Sequence, residues 1–211
     1  MPKCPKPAPR AIAQAQRTIG GTANQTSGPR GRWLEVAPVL IGVPLIWAVR
    51  KRFPLSTLLL VLICLHAVVL LVGGHDTYAL VPAGEWAKAW FGWQRNHYDK
   101  LGHFAQGFVP AILTREILLR ASPLGSSRWL GFLVGCVCLA FSAFYELIEW
   151  ATALLTGSAA DAFLGTQGDP WDTQTDMLMA LFGAVAALTL LRRWHDRSLA
   201  AVTSHAPTDP P

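Results

Sequence analysis

The chain has 211 residues, 52% of them hydrophobic and only 15% charged, where a soluble domain carries about 25% charge. Together with nine Trp and a mean hydropathy of +0.32, this excludes an ordinary water-soluble enzyme and points to an integral membrane protein, since amphipathic aromatics collect at membrane interfaces. The net charge of +5 sits in short Lys/Arg flanks beside apolar runs, not in a basic stripe interleaved with aromatics, so the expected partner is a lipid bilayer and nucleic acid is excluded.

Residues 1–32 are rich in Pro, Gly, Ala, Thr and Gln with scattered basic residues, and read as a disordered basic tail. No hydrophobic region follows the basic residues directly, so the tail does not read as a signal peptide. A first apolar segment, Leu34 to Val49, contains Pro38 and Pro44 and ends at Arg50-Lys51-Arg52. A second, Thr57 to Val72, carries one ionisable residue, His66. The stretch "YALVPAGEWAKAWFGW", Tyr78 to Trp93, spaces Trp86, Trp90 and Trp93 as on a helix and reads as an interfacial helix before a sixth span. The third segment is Leu101 to Leu119, the fourth Trp129 to Leu155, and the fifth Asp172 to Leu191, closed by Arg192-Arg193. Residues 195–211 read as a disordered carboxyl-terminal tail.

A spanning helix needs about 20 residues. The second and fourth segments meet that directly; the first, third and fifth require tilt, polar anchors or packing against protein. The expectation is an all-α polytopic transmembrane bundle over residues 33–194, with five spans, or six if Tyr78 to Trp93 crosses. Of the four cysteines, Cys64, Cys136 and Cys138 lie in apolar runs, and none, Cys4 included, has disulfide-framework or zinc-knuckle spacing, so they read as apolar fillers.

The loop Gly157 to Pro170 has no Lys or Arg and contains Asp161 and Asp169. With five spans, the flanks at Arg50 to Arg52, Arg120 to Arg128 and Arg192-Arg193 all fall on the opposite side, which the positive-inside rule makes cytoplasmic.

Polar residues inside the spans carry the functional signal, because a charge at mid-bilayer costs at least about 2.5–3.5 kcal/mol. "HYDKLGHFAQGF" places Asp99 and His103 at i,i+4 with Gln106 three further on, one helix face. "YELIEW" places Glu146 and Glu149 at i,i+3, and "DTQTD" places Asp172 and Asp176 at i,i+4, with Gln174 between them and Asp169 just before. Alternating chain direction brings all three sets to one membrane surface. His103, Glu146, Glu149, Asp172 and Asp176 would suit a divalent cation. Glu146, Glu149 and His103 would suit acid–base catalysis, and the same acids a proton or cation path. The plainer reading is interhelical glue or capping, with Asp172 an N-cap after Pro170-Trp171.

"TREILLR", with Arg115, Glu116 and Arg120, reads as snorkelling arginines near lipid phosphate. His66 reads as a buried histidine bonded to a neighbour. In "GTQGDPWDTQTD", Gly165 and Gly168 permit sharp turns, and the loop has enough side-chain acceptors to cover the cluster. No Gly-Lys-Ser/Thr phosphate loop, His-Glu-x-x-His or Gly-x-Ser-x-Gly motif occurs.

"YDKLGHFAQGFVPAILTREILLR", "YELIEW" and "FLGTQGDPWDTQTDMLMALFGA" together resemble the YjdF-type bacterial inner-membrane proteins, a family of unknown function, over roughly Leu34 to Leu191. The resemblance implies a multi-helix inner-membrane protein and names no activity. More distantly the chain is similar to VanZ-like membrane proteins, at Asp99, Lys100, His103 and Phe104, at Glu146 or Glu149, at Asp172 and Asp176, and at Gly183 and Ala184; it departs at Ala180, where that pattern more often has Asn. That likeness implies a cell-envelope setting and a lipid or envelope-glycan ligand. The leading expectation is an intramembrane site for a divalent cation or a polar lipid headgroup. The alternatives are an envelope-lipid or glycan-modifying enzyme, a proton- or cation-coupled transporter, and a structural or assembly protein.

Overall fold

Hydrocarbon offers backbone groups no partner, so apolar runs of this length must satisfy their own N–H and C=O groups as helices. A computed structural model describes residues 29–76, 78–156 and 169–204, with side chains from Val36 onward. Those residues form seven α-helices and one 3-10 turn, with no strand. The helices are α1 (Pro29–Val49), α2 (Thr57–Asp76), α3 (Pro82–Phe91), α4 (Tyr98–Ala121), α5 (Arg128–Thr156), α6 (Asp172–Leu190) and α7 (Arg192–Thr203); the 3-10 turn is Tyr78–Leu80. By length and composition α2, Arg128–Leu155 within α5, and α6 are able to cross a membrane, and Val36–Val49 of α1 is a shorter apolar stretch.

Two elements, the start of the third segment and the carboxyl-terminal tail, differ from the sequence expectation, while the Tyr78–Trp93 stretch follows the interfacial reading. The Tyr78–Trp93 stretch supplies no further span: α3 has ten residues, about 15 Å, half of a hydrocarbon core. It ends at Gly92, whose φ of 67° a side chain would resist, and it leaves Trp86 and Trp90 exposed. Helix α4 begins at Tyr98 rather than Leu101, so Asp99 and Lys100 belong to its first turn. Helix α7 carries regular structure past position 194, where the expected tail begins. It does so because it is amphipathic and has something to pack on: His195 is fully buried, and Ser198 Oγ accepts the Leu58 N–H at 3.1 Å.

The bundle is built on the α4–α6 crossing. Ala180, Gly183, Ala184 and Ala187 form one buried stripe on α6. It meets Gly107 and Ala111 of α4 so closely that a β-carbon at Gly107 would overlap the Ala180 carbonyl, and one at Gly183 the Phe104 carbonyl. Small residues let backbones approach where lipid supplies no hydrophobic force between helices. Leu59 of α2 and Leu130, Val134 and Cys138 of α5 complete the core, with Cys138 Sγ donating to the Gly107 carbonyl at 3.6 Å. Cys64 and Cys136 are exposed free thiols, and Cys138 is a buried one. Outward-facing Leu65, Phe132, Phe144 and Phe182 make the apolar surface a bilayer would cover.

Candidate functional site

Helices α4 and α6 start, and α5 ends, at the same end of the bundle. The first turns of α4 and α6 and the last turns of α5 therefore lie side by side, and the three polar sets face one another. His103 is buried on the inner face of α4, one turn below Asp99. Its Nε2 lies 3.6 Å from Asp99 Oδ1, 3.6 Å from Glu146 Oε1 and 3.9 Å from Asp176 Oδ1. None of these is a hydrogen bond, since an N–H···O contact closes at about 2.7–3.2 Å. Glu146 Oε1 and His103 Nδ1 are both buried and have no hydrogen-bond partner among the described residues. Asp99, His103 and Asp176 each place a donor atom within 4.8 Å of the other two, so they form a three-residue group able to hold a metal ion.

Two basic residues organise the rim. Lys100 Nζ donates to Asp172 Oδ1 and Asp176 Oδ1, both at 2.7 Å, and tethers the start of α4 to the start of α6. Arg95, just before α4, donates to Asp172 Oδ1 at 2.6 Å and Asp169 Oδ2 at 3.0 Å. Neither follows from spacing along one helix. The available signal was Lys100 beside Asp99, and Arg95 in the polar "WQRNHYDK" lead-in. Asp172 is thus engaged by two cations, and Asp99 rather than Asp172 joins His103 and Asp176 in the three-donor group. Asp99, Glu146 and Glu149 have no Lys or Arg within ion-pair distance among the described residues.

Glu149, Gln106 and His103 line one small cavity, about 60 Å³, shared with His66, Tyr78 and Tyr145. His66 lines the same cavity as Glu149, and its buried Nε2 has no hydrogen-bond partner among the described residues. Gln174 stands apart, exposed on the far face of α6, because i+2 from Asp172 points it away from α4. Asp169 sits at the mouth, and Asp161, Gly165 and Gly168 lie outside the described residues. A larger apolar cavity of about 430 Å³ adjoins Lys100, lined by Leu101, Phe104, Met179 and His97. Burial, and then the nearby Arg95 and Lys100, hold His97 below the usual histidine range, so a neutral ring faces that apolar space.

The opposite end is chemically closed. Arg115, Glu116 and Arg120 do not snorkel, because α7 supplies partners for Arg115 and Glu116, and Arg120 donates to Glu116 and the Pro54 carbonyl. Arg115 donates to His195 Nδ1 at 2.7 Å and to Asp196 Oδ1 at 2.6 Å. Arginine only donates, so Nδ1 accepts and His195 Nε2 donates to Glu116 Oε2, 3.1 Å away. Glu116 Oε1 accepts from the Ser56 N–H at 3.0 Å and from Arg120 at 3.1 Å. Two arginines meet two carboxylates there, whereas the other end has acids to spare.

A family model described as "Predicted membrane protein (DUF2238)" matches residues 17–197. The chain is 55% identical over 168 residues to the inner membrane protein YjdF of Escherichia coli (strain K12), covering 79% of this chain and 80% of that protein. No solved structure gives a significant match. An inner-membrane location agrees with both findings and with the apolar helices. The chain therefore belongs to the DUF2238 family of membrane proteins.

Proposed function

We propose that the protein binds a divalent cation of the Zn²⁺ or Mn²⁺ class within the membrane, using His103, Asp99, Glu146 and Asp176. The observation that carries this is the set of three carboxylate oxygens 3.6–3.9 Å from one imidazole nitrogen and not hydrogen-bonded to it, of which those of Asp99 and Asp176 also lie within 4.8 Å of each other. Ligands about 2.0–2.2 Å from a tetrahedral ion stand ~3.3–3.6 Å from one another, so the spacing is close to the edge of a coordination shell. One imidazole with carboxylates selects a borderline transition ion over Ca²⁺ or Mg²⁺, which prefer oxygen throughout. Charge argues the same way for Asp99 and Glu146: acids in a low-dielectric site without a fixed cation need protons or a bound cation, whereas Asp176 shares its Oδ1 with Lys100. Glu149 and His66 lie on the wall of the adjoining cavity, placed to orient the ligands or accept a proton.

In this reading α1, α2, α4, α5 and α6 are five spans forming a membrane unit over residues 33–194. The basic flanks are cytoplasmic and the cation site lies in the periplasmic half. Helix α4 tolerates its polar residues because they face protein rather than lipid. Isothermal titration of the detergent-purified protein with ZnCl₂ and MnCl₂ tests the site. The expected result is one ion per chain, weakened by at least about tenfold in H103A and D176N. E85Q, at a half-buried ion pair with Lys88 outside the cluster, should bind as wild type. Equal binding by wild type, H103A and D176N would refute the site.

A further inference from the structure

A third cavity, of about 400 Å³, opens at the basic end, away from the cation site. Three guanidinium side chains from three elements line it: Arg115 of α4, Arg128 at the start of α5 and Arg192 at the start of α7. Ser126 and Ser127 add hydroxyls, and no Asp or Glu contributes to the wall. Arg115 is held rigidly by His195 and Asp196. Arg128 and Arg192 are exposed and pair with no carboxylate among the described residues. The first turn of α5 adds the partial positive charge of a long helix's amino end. The concavity is therefore built for an anion, and its planar donors with flanking hydroxyls suit the oxygens of a phosphate.

Its surroundings fix its depth. Trp129 and Trp194, close in sequence to Arg128 and Arg192, are exposed as interfacial anchors are. Leu130 and Leu188 make the cavity's apolar side. Arginines at headgroup level above an apolar wall match a phosphate with acyl chains below it.

We propose that this cavity is a binding site for a phosphate group, presented either by an anionic phospholipid headgroup or by free phosphate. The full-length protein in detergent is incubated with dioleoyl phosphatidylglycerol or with dioleoylglycerol, which has the same chains and no phosphate, and bound lipid is read by native mass spectrometry. In parallel, thermal unfolding is followed in millimolar inorganic phosphate against chloride of equal ionic strength. R128Q/R192Q is compared with R193Q, which removes a neighbouring charge outside the cavity wall. Wild type and R193Q are expected to favour phosphatidylglycerol about tenfold, and R128Q/R192Q to lose that preference. Lipid retention without a phosphate shift assigns the headgroup as source. A phosphate shift that R128Q/R192Q abolishes, without lipid retention, assigns free phosphate. If R128Q/R192Q does not elute as a monodisperse peak, R192Q alone supplies the comparison. The proposal is overturned if wild type shows neither effect, if R128Q/R192Q matches wild type, or if R193Q loses as much as the double variant.

Discussion

Lys100 and His103 sit one turn apart on α4 and do opposite things. Lys100 is paired at 2.7 Å with both Asp172 and Asp176, whereas His103 has three carboxylates near it and bonds none. Removing one member of a buried ionic set leaves the other charges uncompensated, at a cost of about 3–5 kcal/mol. K100M should therefore lower stability by about 3 kcal/mol in thermal unfolding of the metal-free protein, and D176N should restore part of it. An unchanged melting curve for K100M would show that the tether carries no load. At this scale the sequence was half legible. Spacing along single helices found Asp99 with His103 and Asp172 with Asp176, because i,i+4 geometry is local. It left Arg95 and Lys100 unpaired, because which cation meets which acid across helices is a tertiary fact.

Between elements, the α4–α6 crossing sets the register of the site, since it fixes how far His103 stands from Asp176. Gly107 is where the backbones come closest, and any side chain there must push α6 away. G107L should cost more than about 3 kcal/mol of overpacking and abolish stoichiometric metal binding together with the monodisperse elution peak. G42L, where a β-carbon meets no neighbour, should leave both unchanged. A well-behaved, metal-binding G107L would mean that the crossing does not position the site. The long apolar helices were readable to within a few residues, because hydrophobic run length determines them. Helix α7 was not: Arg192 to Thr203 is short and polar, and the surface it folds on, Arg115 and Glu116 of α4 and the start of α2 at Leu58, is tertiary.

At the scale of the whole molecule the two ends are unlike. One closes with two arginines, two carboxylates and a histidine mutually bonded; the other keeps Asp99, Glu146 and Glu149 without a fixed cation among the described residues. The acid-rich end should face the periplasm. A green fluorescent protein fused to the carboxyl terminus should fluoresce, and alkaline phosphatase inserted after Asp169 should be active; the reverse pattern would invert the topology. Alternating direction predicted from sequence that the three polar sets share one depth, and His103 does lie within 4 Å of Glu146 and Asp176 at one end of the bundle. The ligand was not legible, since acids and a histidine suit several chemistries until their separations are known. The most direct measurement is X-ray absorption at the zinc edge on Zn²⁺-loaded protein. One imidazole with a carboxylate-oxygen shell, the imidazole signal vanishing in H103A, is what a His103-centred site predicts. A shell of water oxygens only, sulfur scattering, or the same spectrum from H103A would contradict it.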